Sequence, residues 1–224
     1  MGRNFTLLWT AYAASTAGTY LALDAFPLIA LLVLDSSALE ISLLAAAGTA
    51  VGALIALPSG PWVEFRRKRP VMIGTDLVRF GALASLPLAF ATDALTFGHL
   101  VGVAIAVAAS DIAFMAASGA YLKALVRPAD LLTASSRFES TLWTATALGP
   151  PLGGWSVGAF GPLTTVVLNG VSYLLSATGI AAIRDREPQP PARPAPPGSP
   201  RAGAICSATL GSGRCSSTQC WSTR

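Results

Sequence analysis

Charge, histidine and early cysteine are what this chain lacks. Only 12% of its 224 residues are charged, whereas a soluble domain carries about a quarter, so an ordinary hydrated surface cannot be built from it. A single histidine, His99, and three cysteines confined to positions 206, 215 and 220 offer no metal-ligand spacing. No Gly-x-x-x-x-Gly-Lys-Ser/Thr loop is present to cradle nucleotide phosphates. The expectation is a non-enzyme with no cofactor and no metal.

What is there is apolar: 53% hydrophobic residues and a mean hydropathy of +0.58, the composition of a membrane protein. A net charge of +4 and a pI near 9.3 would suit nucleic acid, but that role normally uses a polar, aromatic-interleaved basic surface. Here the basic cluster, Arg66-Arg67-Lys68-Arg69, has lipid-like flanks. The expected partner is the bilayer, and no nucleic acid.

Apolar stretches of about 20 residues, enough for a helix to cross roughly 30 Å of hydrocarbon, recur six times: about 5–34, 39–63, 71–92, 95–126, 140–160 and 162–183. The breaks carry turn chemistry, at Asp35-Ser36-Ser37, Arg69-Pro70, Thr92-Asp93, Arg127-Pro128-Ala129-Asp130 and Gly161-Pro162. Helices joined so tightly are antiparallel neighbours. The first run far exceeds the roughly 7–15 apolar residues of a cleaved signal peptide and reads as a retained span.

Orientation follows from the cations. Arg3 precedes the first span, Arg66 to Arg69 separate the second and third, Lys123, Arg127 and Arg137 flank the fourth and fifth, and Arg184 and Arg186 follow the sixth. The alternate connections hold no Lys or Arg. By the positive-inside bias, both termini are expected in the cytoplasm, with the protein in the plasma (inner) membrane.

The stretch Gly60-Pro61-Trp62-Val63-Glu64-Phe65-Arg66-Arg67-Lys68-Arg69-Pro70 resembles the loop between spans two and three of the major facilitator superfamily, whose pattern is Gly-x-x-x-Asp-Arg-x-x-Arg-Arg. Gly60 matches the glycine, Glu64 stands for the aspartate, and Phe65 replaces an arginine. "FTLLWTAYAASTAGTYLALDAFPLIAL" at 5–31, "DLVRF" at 76–80, "LGPPLGGWSV" at 148–157 and "VVLNGVSYLLSA" at 166–177 resemble spans one, three, five and six of the drug and macrolide exporter branch. The likeness covers about residues 3–190.

That resemblance implies an all-α integral membrane protein: the N-terminal six-helix bundle of such a transporter, built as a 3+3 inverted repeat. The bundle would occupy 1–187. It implies secondary active efflux of a small amphipathic molecule, coupled to protons. It also implies a latch between molecular halves at Gly60, Glu64, Arg66, Arg67, Lys68 and Arg69, and a Gly/Pro motif in span five at Gly149, Pro150, Gly153 and Gly154. Independently of any family, such glycines strip side chains from a helix face so that a neighbouring backbone can approach, and Pro150 and Pro151 interrupt the backbone ladder.

Ionisable groups in mid-span are expensive and by default functional candidates. Asp24 lies about 28 Å along the first span and Asp111 about 24 Å along the fourth. The resemblance puts both spans on one central cavity and makes these acids the candidate proton-exchange sites, the alternative for each being a plain structural or interfacial acid. Asp76 and Arg79, one turn apart, and Arg137 and Glu139 read as gate contacts at the cytoplasmic mouth, or as interfacial anchors. His99 reads as solvated in an outer loop.

Residues 188–224 are rich in Pro, Gly, Ser and Arg without apolar periodicity, the composition of a disordered tail. Family members continue into six more spans, so two readings compete. One is a half-length transporter that works as a homodimer or with a missing C-terminal half. The other is a truncated or frameshifted remnant, a six-span membrane protein that does not transport.

Overall fold

The computed structural model describes residues 2–64 and 66–183, and among them it is helical with no strand. The helices are α1 (Arg3–Leu21), α2 (Ala25–Leu32), α3 (Ala38–Glu64), α4 (Lys68–Ala91), α5 (Phe97–Leu125), α6 (Leu131–Phe160) and α7 (Pro162–Ala181), with one 3-10 turn at Pro128–Asp130. Their ends follow local chemistry. Ser37 and Glu40 form a reciprocal capping box at the start of α3: the Ser37 N–H donates to Glu40 Oε2 at 2.7 Å, and the Glu40 N–H to Ser37 Oγ at 3.3 Å. Thr96 Oγ1 caps α5 by accepting from the His99 N–H at 3.2 Å. Asp35 and Asp93 turn the chain out of α2 and α4 with φ of 50° and 52°, a left-handed conformation that short polar side chains tolerate. Gly161, at φ 86°, ends α6, and Pro162 opens α7 where a missing N–H leaves no bond unmade.

Two expected spans are drawn differently. The run at 5–34 is not one helix but α1 and α2, parted at residues 22–24. Pro27 explains the break: its ring clashes with the carbonyl four residues back, at Leu23, and it has no N–H to donate there. The fifth helix begins at Leu131 rather than near 140, launched by the turn containing Pro128.

Among the described residues four stretches are long and apolar enough to cross a membrane: Arg3–Leu32, Lys68–Ala91, Phe97–Leu125 and Pro162–Ala181. α6 has the length, 30 residues, but is diluted by Ser, Thr, Gly and Pro. α3 carries an apolar stretch over Ala38–Val51.

Two buried apolar clusters divide the bundle along its length. One contains Phe5, Leu8 and Tyr12 with Met72, Phe114, Phe138 and Ile180. The other contains Ala25 and Ile29 with Leu83, Leu100, Val107, Val157 and Val166. From the first to the second cluster, residue numbers rise from α1 into α2 and along α4 and α6 and fall along α5 and α7, so α4 to α7 alternate in direction. The cation-bearing connections therefore emerge together. Arg69 Nε and Nη2 donate to the main-chain oxygens of Ile180 and Ala181 at 3.1 and 2.5 Å, a guanidinium at the negative end of α7.

Lipid is as apolar as leucine, so helix association in a bilayer relies on close approach. On α6, Gly149 and Gly153 provide it against α1. A Cβ at Gly149 would lie 2.6 Å from Tyr20 Cβ, and one at Gly153 would overlap the Leu21 carbonyl oxygen. Gly154, expected to share that role, faces open space, because only positions three or four apart lie on one helix face. α6 continues through Pro150 and Pro151 to Phe160. The side-chain surroundings of Gly60 and Glu64 lie outside the described residues, as does the tail at 188–224.

Candidate functional site: a buried charge cluster and an open groove

Asp76 and Arg79 sit one turn apart on α4 and point the same way. Both side chains are wholly enclosed. Arg79 Nη2 donates to Asp76 Oδ1 at 2.6 Å, and Nη1 donates to Asp111 Oδ1 of α5 at 2.9 Å. The guanidinium also lies between two rings, 4.5 Å from the Phe114 centroid and 4.3 Å from that of Tyr173. A flat, forked cation can serve two carboxylates and two ring faces at once, which a lysine ammonium cannot.

These charges form a polar layer between the two apolar clusters, since Asp76 and Arg79 fall between Met72 and Leu83 on α4. Thr19 Oγ1 of α1 and Tyr173 Oη of α7 share a hydrogen bond of 3.0 Å, and Asn169 Nδ2 donates to the same Oη at 3.4 Å. The hydroxyls of Ser15 and Ser176 reach toward Asp76, yet Asp76 Oδ2, Arg79 Nε and both serine oxygens close no hydrogen bond of good geometry. Asp111 is the open member of the cluster, its side chain 38% exposed.

The site residues expected from sequence are thus redistributed. Asp111 meets Arg79, and through it Asp76, rather than Asp24. Asp24 is exposed in the turn between α1 and α2, with no ion pair or side-chain hydrogen bond among the described residues. Asp76 and Arg79 are buried inside the bundle, facing neighbouring helices and not its outer surface. Counted from the end where the cations emerge, Arg79 is about 16 Å along α4 and Asp111 about 21 Å along α5.

Arg137 and Glu139 remain exposed on α6. The Arg137 guanidinium lies 5.9 Å from the Phe5 ring and 6.0 Å from that of Trp9. Glu139 Oε1 accepts from Trp143 Nε1 at 2.9 Å. Arg66 and Arg67 are exposed, and Lys68 Nζ donates to the Arg66 carbonyl at 2.8 Å. His99 is half-buried, not solvated in a loop: its Nε2 lies 3.0 Å from Ser85 Oγ of α4. Among the described residues no group of three or more His, Cys, Asp or Glu could hold a metal.

α1 and α6 enclose an open groove of about 610 Å³. Trp9, Ala13, Ala17 and Leu21 form its α1 wall, and Ser136, Arg137, Ser140, Thr141, Thr144, Ala145, Leu148, Gly149 and Leu152 its α6 wall. Trp9 Nε1 bridges the walls by donating to Thr141 Oγ1 at 3.0 Å. Sequence reading missed this groove, although its signal was present as small residues every fourth position on α1 and a hydroxyl stripe at helical spacing on α6.

Apolar helices alternating in direction around a polar layer define an integral membrane protein of the helical-bundle class. The family model of the Major Facilitator Superfamily matches residues 8–216, most of the chain. The chain belongs to that superfamily and is a membrane transporter. The match runs past α7 into the stretch read above as tail. A comparison with curated proteins gives no match.

Proposed function

We propose that this transporter is a secondary exporter that exchanges a small amphipathic molecule for protons across the plasma membrane, six crossings deep, with both termini in the cytoplasm. The observation that carries the reading is the ratio of charges in the buried layer: two carboxylates, Asp76 and Asp111, share the one guanidinium of Arg79. With both acids ionised, one negative charge is uncompensated beside the enclosed Asp76–Arg79 pair, and a like charge close by disfavours keeping both acids charged. Taking up a proton removes it. Asp111, the exposed member, is the acid that exchanges with the aqueous side, and Arg79 keeps its pair with Asp76 when Asp111 is neutral.

The substrate path is the α1–α6 groove. Alternating access needs a second bundle rocking against the first. A second copy of the chain, or further spans, supplies that bundle on the grooved face. The experiment is proton-driven efflux from vesicles containing the purified chain, with a panel of anionic, neutral and cationic amphipathic dyes. The Asp111→Asn variant is expected to lose gradient-driven efflux and keep downhill exchange. Gradient-driven efflux that is undiminished in Asp111→Asn would rule the coupling site out, and absence of transport for every dye would rule out the exporter.

A further inference from the structure

We propose that the α1–α6 groove binds an amphipathic anion, a carboxylate- or sulfonate-headed molecule whose head sits on Arg137 and whose aromatic or aliphatic body lies against Trp9 and the apolar wall beyond. This deepens the exporter reading and rests on it only for the ligand's role as cargo.

α1 and α6 run in the same direction, Trp9 beside Thr141 and Tyr20 beside Gly149. The groove's chemistry changes along that direction. It begins with Ser136, Ser140 and Thr144 around Arg137, and ends where Leu148 and Leu152 face Leu21. From Ser136 to Leu152 the wall is about 24 Å long at 1.5 Å per residue. A polar start and an apolar finish match a molecule with one polar end. The volume of about 610 Å³ lies within the usual size of small-molecule sites, about 300–1,000 Å³.

The sign of the head group follows from what surrounds it. Among the described residues Arg137 is the one charged residue lining the groove. Its guanidinium makes no ion pair and no hydrogen bond among the described residues, only ring contacts near 6 Å with Phe5 and Trp9, at 5.9 and 6.0 Å. The neighbouring acid on α6, Glu139, is held by Trp143, and Asp76 and Asp111 are held by Arg79. A cationic head would therefore meet a like charge with no acid to offset it. A carboxylate or sulfonate would meet a free fork of donors suited to bidentate binding, with hydroxyls on either side and the Trp9 indole to stack on.

The test titrates naphthalene-2-carboxylate and its neutral isostere naphthalene-2-carboxamide into the full chain in phosphatidylcholine nanodiscs, with no gradient and with empty discs subtracted. The carboxylate is expected to bind ~10-fold tighter or more, the effect of one charge-assisted hydrogen bond. Arg137→Gln should abolish the difference by weakening the carboxylate alone, and Arg137→Lys should keep part of it. Arg127→Gln, which removes an exposed cation outside the groove, should change neither affinity. Equal affinities in the wild type, no binding of either compound, or a preference that survives Arg137→Gln would each overturn the proposal; helicity and melting temperature establish that the variant is folded. Anion preference without vesicle transport leaves this proposal standing while the exporter reading fails, and dye transport without anion preference does the reverse.

Discussion

Arg79 and Asp111 join α4 to α5 through a 2.9 Å ion pair that lies between two apolar clusters and shares its guanidinium with Asp76. The one guanidinium of this layer finds both its acid partners inside the bundle. The stability of the bundle and its chemistry therefore meet in the same three side chains.

Replacing Arg79 with Leu strands two carboxylates. Removing one partner of a buried pair costs about 3–5 kcal/mol, so the variant should melt well below the wild type in detergent. Adding Asp76→Asn and Asp111→Asn together should recover much of the loss, because the orphaned charges go with them. An Arg79→Leu protein that melts like the wild type would show that the layer does not support the fold.

Gly153 and Gly154 are adjacent in sequence but opposite in consequence. Gly153→Val puts a branched side chain into the Leu21 carbonyl, and the strain of such overpacking is about 1–3 kcal/mol. Gly154→Ala meets nothing within 4 Å and should leave the melting temperature unchanged or slightly raised. A comparison of the two thermal unfolding curves checks this, and equal losses would contradict the α1–α6 contact.

Arg69→Gln removes charge-assisted hydrogen bonds from the last carbonyls of α7, each worth about 1.5–3 kcal/mol. The effect should be local. Faster amide hydrogen exchange is expected in the last turn of α7, with the centre of that helix unaffected; uniform change along α7 would mean the contact is not the anchor described.

Asp24→Asn alters an exposed turn residue. Its effect on stability should stay within about 0.5 kcal/mol, and proton-driven efflux should persist. Loss of coupling in Asp24→Asn with full coupling in Asp111→Asn would transfer the proton site to the first span.

Orientation is testable with one cysteine at a time, after Cys206, Cys215 and Cys220 are changed to Ser. Arg67→Cys should react with a membrane-impermeant maleimide only in permeabilised cells. Ala94→Cys, in the connection between α4 and α5, should react in intact cells. The opposite pattern would invert the membrane assignment.

Much of the fold was legible because its signals are local. Asp35, Asp93 and Gly161-Pro162 end helices through their own backbone preferences, and the run of apolar residues between them sets each helix's extent. The break at 22–24 was legible too, since Pro27 marks it, but the long apolar run around it masked the signal. The charge cluster was only half legible. Asp76 and Arg79 were seen as a pair, yet their third partner lies on another helix, and no residue near them in sequence announces it.

By itself the sequence determined that this is a membrane protein of apolar helices with its cations gathered in alternate connections, because solvent transfer and backbone propensity act residue by residue. Tertiary structure alone decided which acid meets Arg79, which glycines touch α1, and that Arg137 lines a groove with no ion pair among the described residues. Those outcomes depend on how helix faces rotate against one another, and that rotation is set by packing between segments distant in the chain.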